Sequence, residues 1–137
     1  MDRVIREYSK DDINDIINLG KNLHDNYKFN LDYFSHCMIC EMNNIIVGFI
    51  TYSVIYDRAE IIDIYVKENK RKNKVGSLLL SEVINNLNSS CQNITLEVLT
   101  TNSVAIKFYE SFGFQKVSLR RNYKDKIDAY LMKKDLR

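Results

Sequence analysis

Hydrophobic and polar residues alternate in several short segments of this chain, and a period of two residues predicts β-strands. The predicted strands are 4–8, 38–42, 45–55, 59–66, 94–99, 114–119 and 128–132. Asn43 and Asn44 separate the second strand from the third, and this pair predicts a tight hairpin turn. The first strands of the sheet are therefore expected to be antiparallel.

Other segments repeat hydrophobic residues every three or four positions, which predicts helices. The predicted helices are one that Ser9 caps, one over 30–36, one over 76–90 and one that Asn102 or Ser103 caps. In the last of these the apolar stripe is Val104, Phe108 and Phe112, and Gly113 is well placed to end the helix.

The predicted helix over 76–90 is long enough to cross from one strand to a parallel neighbour. We therefore expect 59–66 and 94–99 to form a parallel, splayed pair within a mixed, mostly antiparallel α/β sheet flanked by helices. At 137 residues the chain fits a single domain over 1–137. Ligands of such sheets bind beyond the carboxyl ends of the parallel strands, where the basic segment 67–74 lies.

Composition and charge narrow the possible partners. The net charge is +2, too small to favour nucleic acid or an anionic membrane as the partner. No segment approaches the roughly 20 apolar residues of a membrane span, and the first residues lack the apolar core of a secretion signal. The 3 cysteines do not suggest a disulfide framework. We therefore expect a cytoplasmic protein with no membrane partner.

The cysteines and histidines do not predict a metal site. Cys37 and Cys40 form a CxxC motif, but in a strand residues three apart point to opposite faces, so both are interpreted as small buried hydrophobes. His24 and His36 have no acidic or cysteine partners at ligand spacing.

Glu97 is the first candidate for chemistry, because it interrupts an apolar strand. Ile94, Leu96 and Val98 share one face of that strand, so Glu97 lies on the other. A buried carboxylate must be paired, protonated or beside water, although a strand-end glutamate that faces solvent is an equally good interpretation. Asp63 interrupts the neighbouring strand in the same way and is the rival candidate for a general base.

The segment from Leu96 to Tyr123 resembles the Gcn5-related N-acetyltransferases (GNAT), most closely the ribosomal-protein alanine N-acetyltransferases. The family pattern is carried here by Leu96-Glu97-Val98, Asn102, Ala105, Phe108-Tyr109-Glu110, Gly113-Phe114, Arg120-Arg121-Asn122-Tyr123 and Asp128-Ala129. Upstream, the acetyl-CoA motif of the family falls on Arg71 to Gly76. The resemblance covers about the last 80 residues, and a match of this length is more specific than any single motif.

The resemblance implies a site for acetyl-CoA as co-substrate, with no metal. The pantetheine arm would lie between the two parallel strands, and backbone N–H groups at the start of the crossover helix would hold the pyrophosphate. Glu97 would be the general base and Tyr109 the general acid. The implied cofactor-binding residues are Ile64, Tyr65, Val66, Arg71, Lys72, Asn73, Lys74, Val75, Gly76, Ser77 and Asn102.

The sequence departs from the family at Lys74, where the family prefers a glycine. The backbone N–H survives this change, but a positive φ at this position would cost a lysine about 1 kcal/mol. We therefore expect weaker acetyl-CoA binding, with the Lys74 ammonium as a possible phosphate contact. Arg120 and Arg121 are interpreted equally well as solvated strand residues or as substrate contacts.

Three classes of function remain to be compared. The first is acetyl transfer to the N-terminal amine of a protein, with a ribosomal protein as the specific expectation, or to a small amine such as a polyamine, an amino acid or an aminoglycoside. The second is a non-catalytic acyl-CoA-binding module. The third, a nucleic-acid binder that uses the basic segment 67–74, is disfavoured by the low net charge.

Overall fold

The computed structural model describes residues 2–137, apart from the side chain of Lys72. The strands are β1 Arg3–Glu7, β2 Ser35–Met42, β3 Ile45–Ile55, β4 Arg58–Val66, β5 Asn93–Leu99, β6 Gln115–Lys124 and β7 Ile127–Asp135. The α-helices are α1 Ile13–Gly20, α2 Val75–Asn86 and α3 Ser103–Ser111, with 3-10 helices at Lys10–Asp12 and Glu68–Asn73. In this described part, the strands form one seven-stranded sheet in the order β1-β2-β3-β4-β5-β7-β6.

The parallel pair predicted from the sequence is confirmed. Arg58–Glu60 of β4 runs in the same direction as Asn93–Thr95 of β5, and both strands continue beyond this ladder, to Val66 and Leu99. Helix α2 is the crossover between them, as its length predicts. The pairs of β1 with β2, β2 with β3, β5 with β7 and β6 with β7 are antiparallel, which confirms a mixed, mostly antiparallel sheet.

The chain divides into two compact units. The first comprises the residues up to Ser53 together with Ile61–Asn88, and the second comprises Val54–Glu60 together with Ser89–Arg137. A single domain over 1–137 stays a prediction.

The first unit has a core between α1 and the strands β2 and β3. Ile16 and Leu19 of α1 pack with Ile39 of β2 and Phe49 of β3, and all four are buried. The turn between β2 and β3 is the predicted one, since Asn43 and Asn44 adopt φ values of 54° and 64°. A hairpin loop of two residues requires positive φ, which asparagine tolerates better than most residues.

The entry to α1 is fixed by a buried carboxylate. Ser9 precedes the 3-10 helix Lys10–Asp12, and its N–H donates a hydrogen bond to Oδ2 of Asp12 at 2.7 Å. Arg6 of β1 lies 2.8 Å from the same Asp12 oxygen and 2.7 Å from Oε1 of Glu41 in β2. The predicted cap at Ser9 is therefore confirmed, and Arg6 ties it to the first two strands.

The second unit is built on β5, β7 and β6. Ile94, Leu96 and Val98 are buried on one face of β5, as the alternation predicts. Asn102 caps α3, because its side-chain oxygen accepts a hydrogen bond from the Ala105 N–H at 3.2 Å. Gly113 follows the helix with a φ of 93°, in the left-handed region that favours glycine.

The predicted stripe of α3 is wrong at Val104, whereas Phe108 and Phe112 are half-buried. Its buried residues are Ile106 and Tyr109, whereas Val104 is 80% exposed. The predicted stripe and the pair Ile106 and Tyr109 both have the spacing of one helix face, so spacing alone does not decide which of the two faces the core. The buried Phe114, whose ring lies 5.6 Å from that of Tyr109, marks the inward face.

The predicted helix over 30–36 is also wrong, because this segment is irregular and β2 begins at Ser35. Asp32 explains the difference. Its Oδ1 accepts hydrogen bonds from the Phe34 N–H at 2.9 Å and from the Ser35 hydroxyl at 2.8 Å. An aspartate that bonds to the backbone two residues ahead stabilises a turn in place of a helix.

Two predicted boundaries differ from the structure. Helix α2 ends at Asn86, because the next residue, Leu87, is extended with a ψ of 139°, so the helix does not reach residue 90. The last two strands are longer than predicted, and Lys124 pairs with Ile127 near the end of their hairpin. Arg120 pairs with Ala129 and Lys124 with Ile127, with an irregularity between them, so β6 extends through a polar segment that lacks the hydrophobic alternation typical of a strand.

Cys37 and Cys40 were interpreted as small buried hydrophobes, and their burial is confirmed. Cys37, Cys40 and Cys91 are all buried and unbonded to one another. Burial raises the pKa of the Cys37 thiol to about 12. Within residues 2–137, no group of three or more His, Cys, Asp or Glu side chains is arranged to hold a metal ion. None of the helices described is both long enough and apolar enough to cross a membrane.

Candidate active site

The end of β4 is the first part of the candidate site, and the sequence assigns Ile64, Tyr65 and Val66 to cofactor binding there. Val66 is buried, whereas Ile64 and Tyr65 are half-buried. The Lys67 N–H donates a hydrogen bond to the Val47 carbonyl at 2.8 Å. This bond holds the end of β4 against β3, so the chain leaves the sheet at a fixed point.

Gly48 in β3 allows Tyr65 and Val75 to lie close to its backbone, and this contact was not predicted from the sequence. A Cβ at this position would lie 3.0 Å from the Tyr65 carbonyl oxygen and 3.1 Å from Cγ1 of Val75. The end of β4 and the start of α2 therefore both lie against a backbone without a side chain. An isolated glycine inside an apolar strand is the sequence signal for such an approach.

The segment between β4 and α2 is the 3-10 helix Glu68–Asn73, and two arginines hold it. Nε of Arg71 donates a hydrogen bond to the Val66 carbonyl at 3.0 Å, and its guanidinium lies 5.4 Å from the centroid of the Tyr65 ring. A guanidinium of Arg3 in β1 donates to the Asn73 carbonyl. Arg71 was predicted to bind cofactor, and the structure shows that its side chain holds the segment itself.

Lys74 adopts the left-handed conformation, with φ 60° and ψ 26°. A lysine at this position was expected to strain the backbone only if φ is positive. The observed φ is positive, so the strain is present. Lys74 precedes α2 as its N-cap residue without a side-chain capping bond. The strain of about 1 kcal/mol is therefore present in the folded chain before any ligand binds.

The start of α2 presents backbone donors. The first helical bond runs from the Leu78 N–H to the Lys74 carbonyl at 3.0 Å, so the N–H groups of Val75, Gly76 and Ser77 come before the helical ladder. The first turn of α2 carries no acidic residue. Such a helix start favours an anion. The side chain of Lys72, another predicted cofactor residue, lies outside the described part.

Glu97 in β5 is paired with an arginine. Nη1 of Arg120 in β6 lies 3.0 Å from Oε2 and 3.2 Å from Oε1 of Glu97. The Glu97 side chain is 22% exposed and the Arg120 side chain 63%. A buried carboxylate here was expected to be paired, protonated or beside water, and it is paired. The sequence analysis interpreted Arg120 equally well as a solvated residue or as a substrate contact. It did not predict the pair with Glu97.

Asp63, the rival general base, belongs to the first unit. Its N–H donates a hydrogen bond to the Thr51 hydroxyl at 3.1 Å, and its side chain is half-buried. The pKa of the Tyr27 phenol is raised above its usual value, chiefly by burial and further by the charge of Asp63. Asp63 therefore has a phenol as its neighbour, and it stays the rival candidate for the base.

Tyr109 and Asn102 belong to α3. Tyr109 is 6% exposed and packs edge-on against Phe114, with ring centroids 5.6 Å apart. It is thus part of the core as well as the predicted general acid. The Asn102 oxygen caps α3, a structural task separate from the predicted pantetheine contact. The roles of both residues toward a ligand stay predictions.

The mixed sheet, the parallel pair and the crossover helix α2 are the fold of acetyltransferases. The chain belongs to the acetyltransferase (GNAT) family, whose model matches residues 3–114. The resemblance stated from the sequence is therefore confirmed at the level of the family.

Three relatives extend the comparison. The [ribosomal protein bS18]-alanine N-acetyltransferase of Escherichia coli is 32% identical over 88 residues, which cover 64% of this chain and 60% of that enzyme. Its crystal structure covers 98% of this chain and 94% of its own, with a TM-score of 0.88 and 22% identity, which shows the fold. An N-alpha-acetyltransferase of Sulfurisphaera tokodaii is 27% identical over 93% of this chain and 90% of that protein.

The third relative is Arabidopsis thaliana Naa50, solved in complex with the bisubstrate analogue CoA-Ac-MVNAL. It matches with a TM-score of 0.83 and 25% identity, over 98% of this chain and 99% of that chain.

Proposed function

We propose that this chain is an acetyl-CoA-dependent N-acetyltransferase that acts on the N-terminal amine of a protein. The observation that carries the proposal is membership of the acetyltransferase family together with matches to proteins named for N-terminal acetylation. The E. coli relative acts on the alanine of a ribosomal protein, so a ribosomal protein is the acceptor proposed first. A cytoplasmic location is part of the same proposal.

The start of α2 fits the pyrophosphate of acetyl-CoA. The N–H groups of Val75, Gly76 and Ser77 lie before the helical ladder, and no carboxylate in the first turn opposes an anion. In the proposal the N–H groups of Lys72 to Ser77 bind the pyrophosphate, and backbone groups of Ile64 to Val66 bind the pantetheine. Arg71 stabilises the segment between these two groups of residues. Bound acetyl-CoA supplies the activated acetyl group.

The amine must lose its proton before it attacks. An N-terminal amine has a pKa of roughly 7.7–8.0, whereas a lysine side chain has one of roughly 10.4, so the N-terminal amine is far easier to neutralise near pH 7. In the proposal Glu97 accepts that proton through a water, and Tyr109 donates a proton to the departing thiolate. The N–C bond forms as the C–S bond breaks, the second proton of the attacking nitrogen returns to the Tyr109 phenolate through water, and Glu97 releases the first proton to solvent.

A thiol-release assay tests the proposal. The wild-type chain is mixed with acetyl-CoA and a panel of N-terminal peptides, including alanine peptides of ribosomal proteins, and of small amines. We expect thiol release with peptides. Release with polyamines alone would contradict the N-terminal assignment, and no release at all despite acetyl-CoA binding would favour a binding module.

Three variants then assign the roles. Glu97→Gln and Tyr109→Phe should each lower kcat by roughly 100-fold while acetyl-CoA binding, measured by calorimetry, is retained. Asp63→Asn is the matched comparison for Glu97→Gln, since it removes the rival carboxylate by the same change. A loss in Asp63→Asn with an active Glu97→Gln would transfer the role of base to Asp63.

A further inference from the structure

The contact between Arg120 and Glu97 joins residues from two strands that are not neighbours. β7 lies between β5 and β6, and Glu97 pairs with Leu131 of β7 while Ser118 pairs with the same Leu131. The guanidinium therefore reaches across β7 to the carboxylate. Its Nη1 lies within 3.2 Å of both Glu97 oxygens.

A ring contact to the hairpin also orients Arg120. The guanidinium carbon lies 4.9 Å from the centroid of the Tyr123 ring, which is a cation–π contact. Arg120 therefore has a carboxylate as one partner and an aromatic ring as the other. Planar guanidinium groups are suited to this combination of contacts, which an ammonium does not reproduce.

Asp128 fixes the hairpin that carries Arg120 to the end of β5. Its Oδ1 accepts a hydrogen bond from the Asn122 N–H at 2.9 Å, and its carbonyl accepts one from the Thr100 N–H at 2.9 Å. Asn122 adopts a φ of 53°, so the strand bends where Asp128 holds it. The position of Arg120 is thus tied to the strand that carries Glu97.

The contact with Arg120 leaves lone pairs of the Glu97 carboxylate open to a water. A carboxylate has about four lone-pair sites, and one nitrogen shared between its two oxygens occupies at most two of them. A water can therefore still bind to Glu97. The contact with Arg120 restricts the rotation of the carboxylate but does not block access of a water to its oxygens.

We propose that Arg120 is a positioning residue, which holds the carboxylate of Glu97 in the orientation needed to accept a proton from the amine. This inference rests on the proposed function, because it assigns Glu97 the part of general base. A small error in the position of a reacting group costs a large factor in rate, so an arginine outside the reaction has a measurable effect on kcat.

The test compares Arg120→Gln with the wild type in the thiol-release assay, using the peptide that wild type acetylates best. We expect kcat to fall by about tenfold while KM for acetyl-CoA changes less than about twofold, since Arg120 orients the base and not the co-substrate. Arg120→Lys should recover part of the loss, because an ammonium pairs with the carboxylate but lacks the planar contact to Tyr123. Lys116→Gln is the control: it removes a charge from the same strand, where Lys116 lies 4.5 Å from the Tyr130 ring.

A double-mutant cycle separates positioning from a general effect on stability. Once Glu97→Gln has removed the base, adding Arg120→Gln should lower kcat no further. The inference is overturned if Arg120→Gln matches wild type, if it raises kcat, if the two losses multiply in the double variant, or if Lys116→Gln causes the same loss. If the wild-type chain acetylates no amine in the panel, the proposed function and this inference both fail. That outcome is recognised from the wild type alone, before any variant is measured.

Discussion

Nε of Arg71 donates a hydrogen bond to the carbonyl of Val66 at 3.0 Å, so a side chain of the basic segment binds the strand that precedes it. The same guanidinium lies on the Tyr65 ring, at 5.4 Å from its centroid. Five basic residues lie between residues 66 and 75, and the sequence analysis assigned the pyrophosphate to backbone N–H groups of this segment and of the helix start. For Arg71 the contact is internal, which leaves the backbone as the expected anion contact.

The first prediction concerns this contact. Arg71→Met removes the donor to Val66 while keeping an apolar stem against Tyr65, so the segment 68–73 should lose order and acetyl-CoA should bind about 3- to 10-fold more weakly. Arg71→Gln is the matched variant, because its amide N–H can still donate to the carbonyl. Titration calorimetry measures both, and equal affinities for Arg71→Met and the wild type would contradict the role given to Arg71.

The second prediction concerns Lys74. Because Lys74 already adopts φ 60°, we expect the strain to lower folding stability rather than affinity. Weaker acetyl-CoA binding, expected from the missing glycine, stays a prediction that the same variants test. Lys74→Gly should raise the free energy of unfolding by about 1 kcal/mol and change acetyl-CoA affinity by less than about threefold. Lys74→Ala keeps the strain and removes the ammonium, so it isolates any phosphate contact of the side chain. A tenfold rise in affinity for Lys74→Gly without a change in stability would contradict this account.

Local chemistry in the sequence predicted a large part of the fold. The turn at Asn43-Asn44, the cap at Ser9 and the end of α3 at Gly113 were all identified from residues whose preferred conformations are strong. The parallel pair followed from the length of the predicted helix over 76–90, which is enough for a crossover connection. Where the local signal was ambiguous, prediction failed: the aspartate at position 32 stabilises a turn that the pattern of 30–36 did not separate from a helix.

The contacts of the candidate site were harder to predict because they join residues far apart in sequence. Glu97 and Arg120 are 23 positions apart, and their pairing depends on the register of β7 between them. The approach at Gly48 depends likewise on where β4 ends and α2 begins. A one-residue shift of register would move each side chain to the other face, and the sequence alone does not fix register to that accuracy.

The third prediction concerns Gly48. Gly48→Ala places a Cβ 3.0 Å from the Tyr65 carbonyl oxygen and 3.1 Å from Val75, so the end of β4 and the start of α2 must move. We expect the free energy of unfolding to fall by about 1–3 kcal/mol and acetyl-CoA to bind more weakly, since both segments are proposed to bind it. Urea unfolding and calorimetry measure the two effects. Ser53→Ala in the same strand is the control, and a Gly48→Ala protein as stable as that control would contradict the close approach.

The last prediction is a pH dependence from Asp12. The hydrogen bond from Arg6, at 2.8 Å, is the chief cause that lowers the pKa of this carboxyl below its ordinary value of 3.8. A lowered pKa stabilises the fold at pH values above the ordinary one, and this contribution is lost as pH falls below 3.8 and through the folded-state pKa. Asp12→Asn should therefore lower the free energy of unfolding by about 2 kcal/mol near pH 7, with the gap to the wild type closing as the pH falls below about 4.

Urea unfolding between pH 2.5 and 7 measures this gap, at intervals of about half a pH unit around the ordinary carboxyl pKa. Asp11→Asn is the control, because Asp11 is the exposed acid next to Asp12 in the same turn. Asparagine at position 12 keeps an oxygen that can accept the Ser9 N–H, so the measured loss reports the charge pair with Arg6 rather than the cap. A gap that stays constant across this pH range would mean that the Arg6–Asp12 pair does not stabilise the fold through its charge.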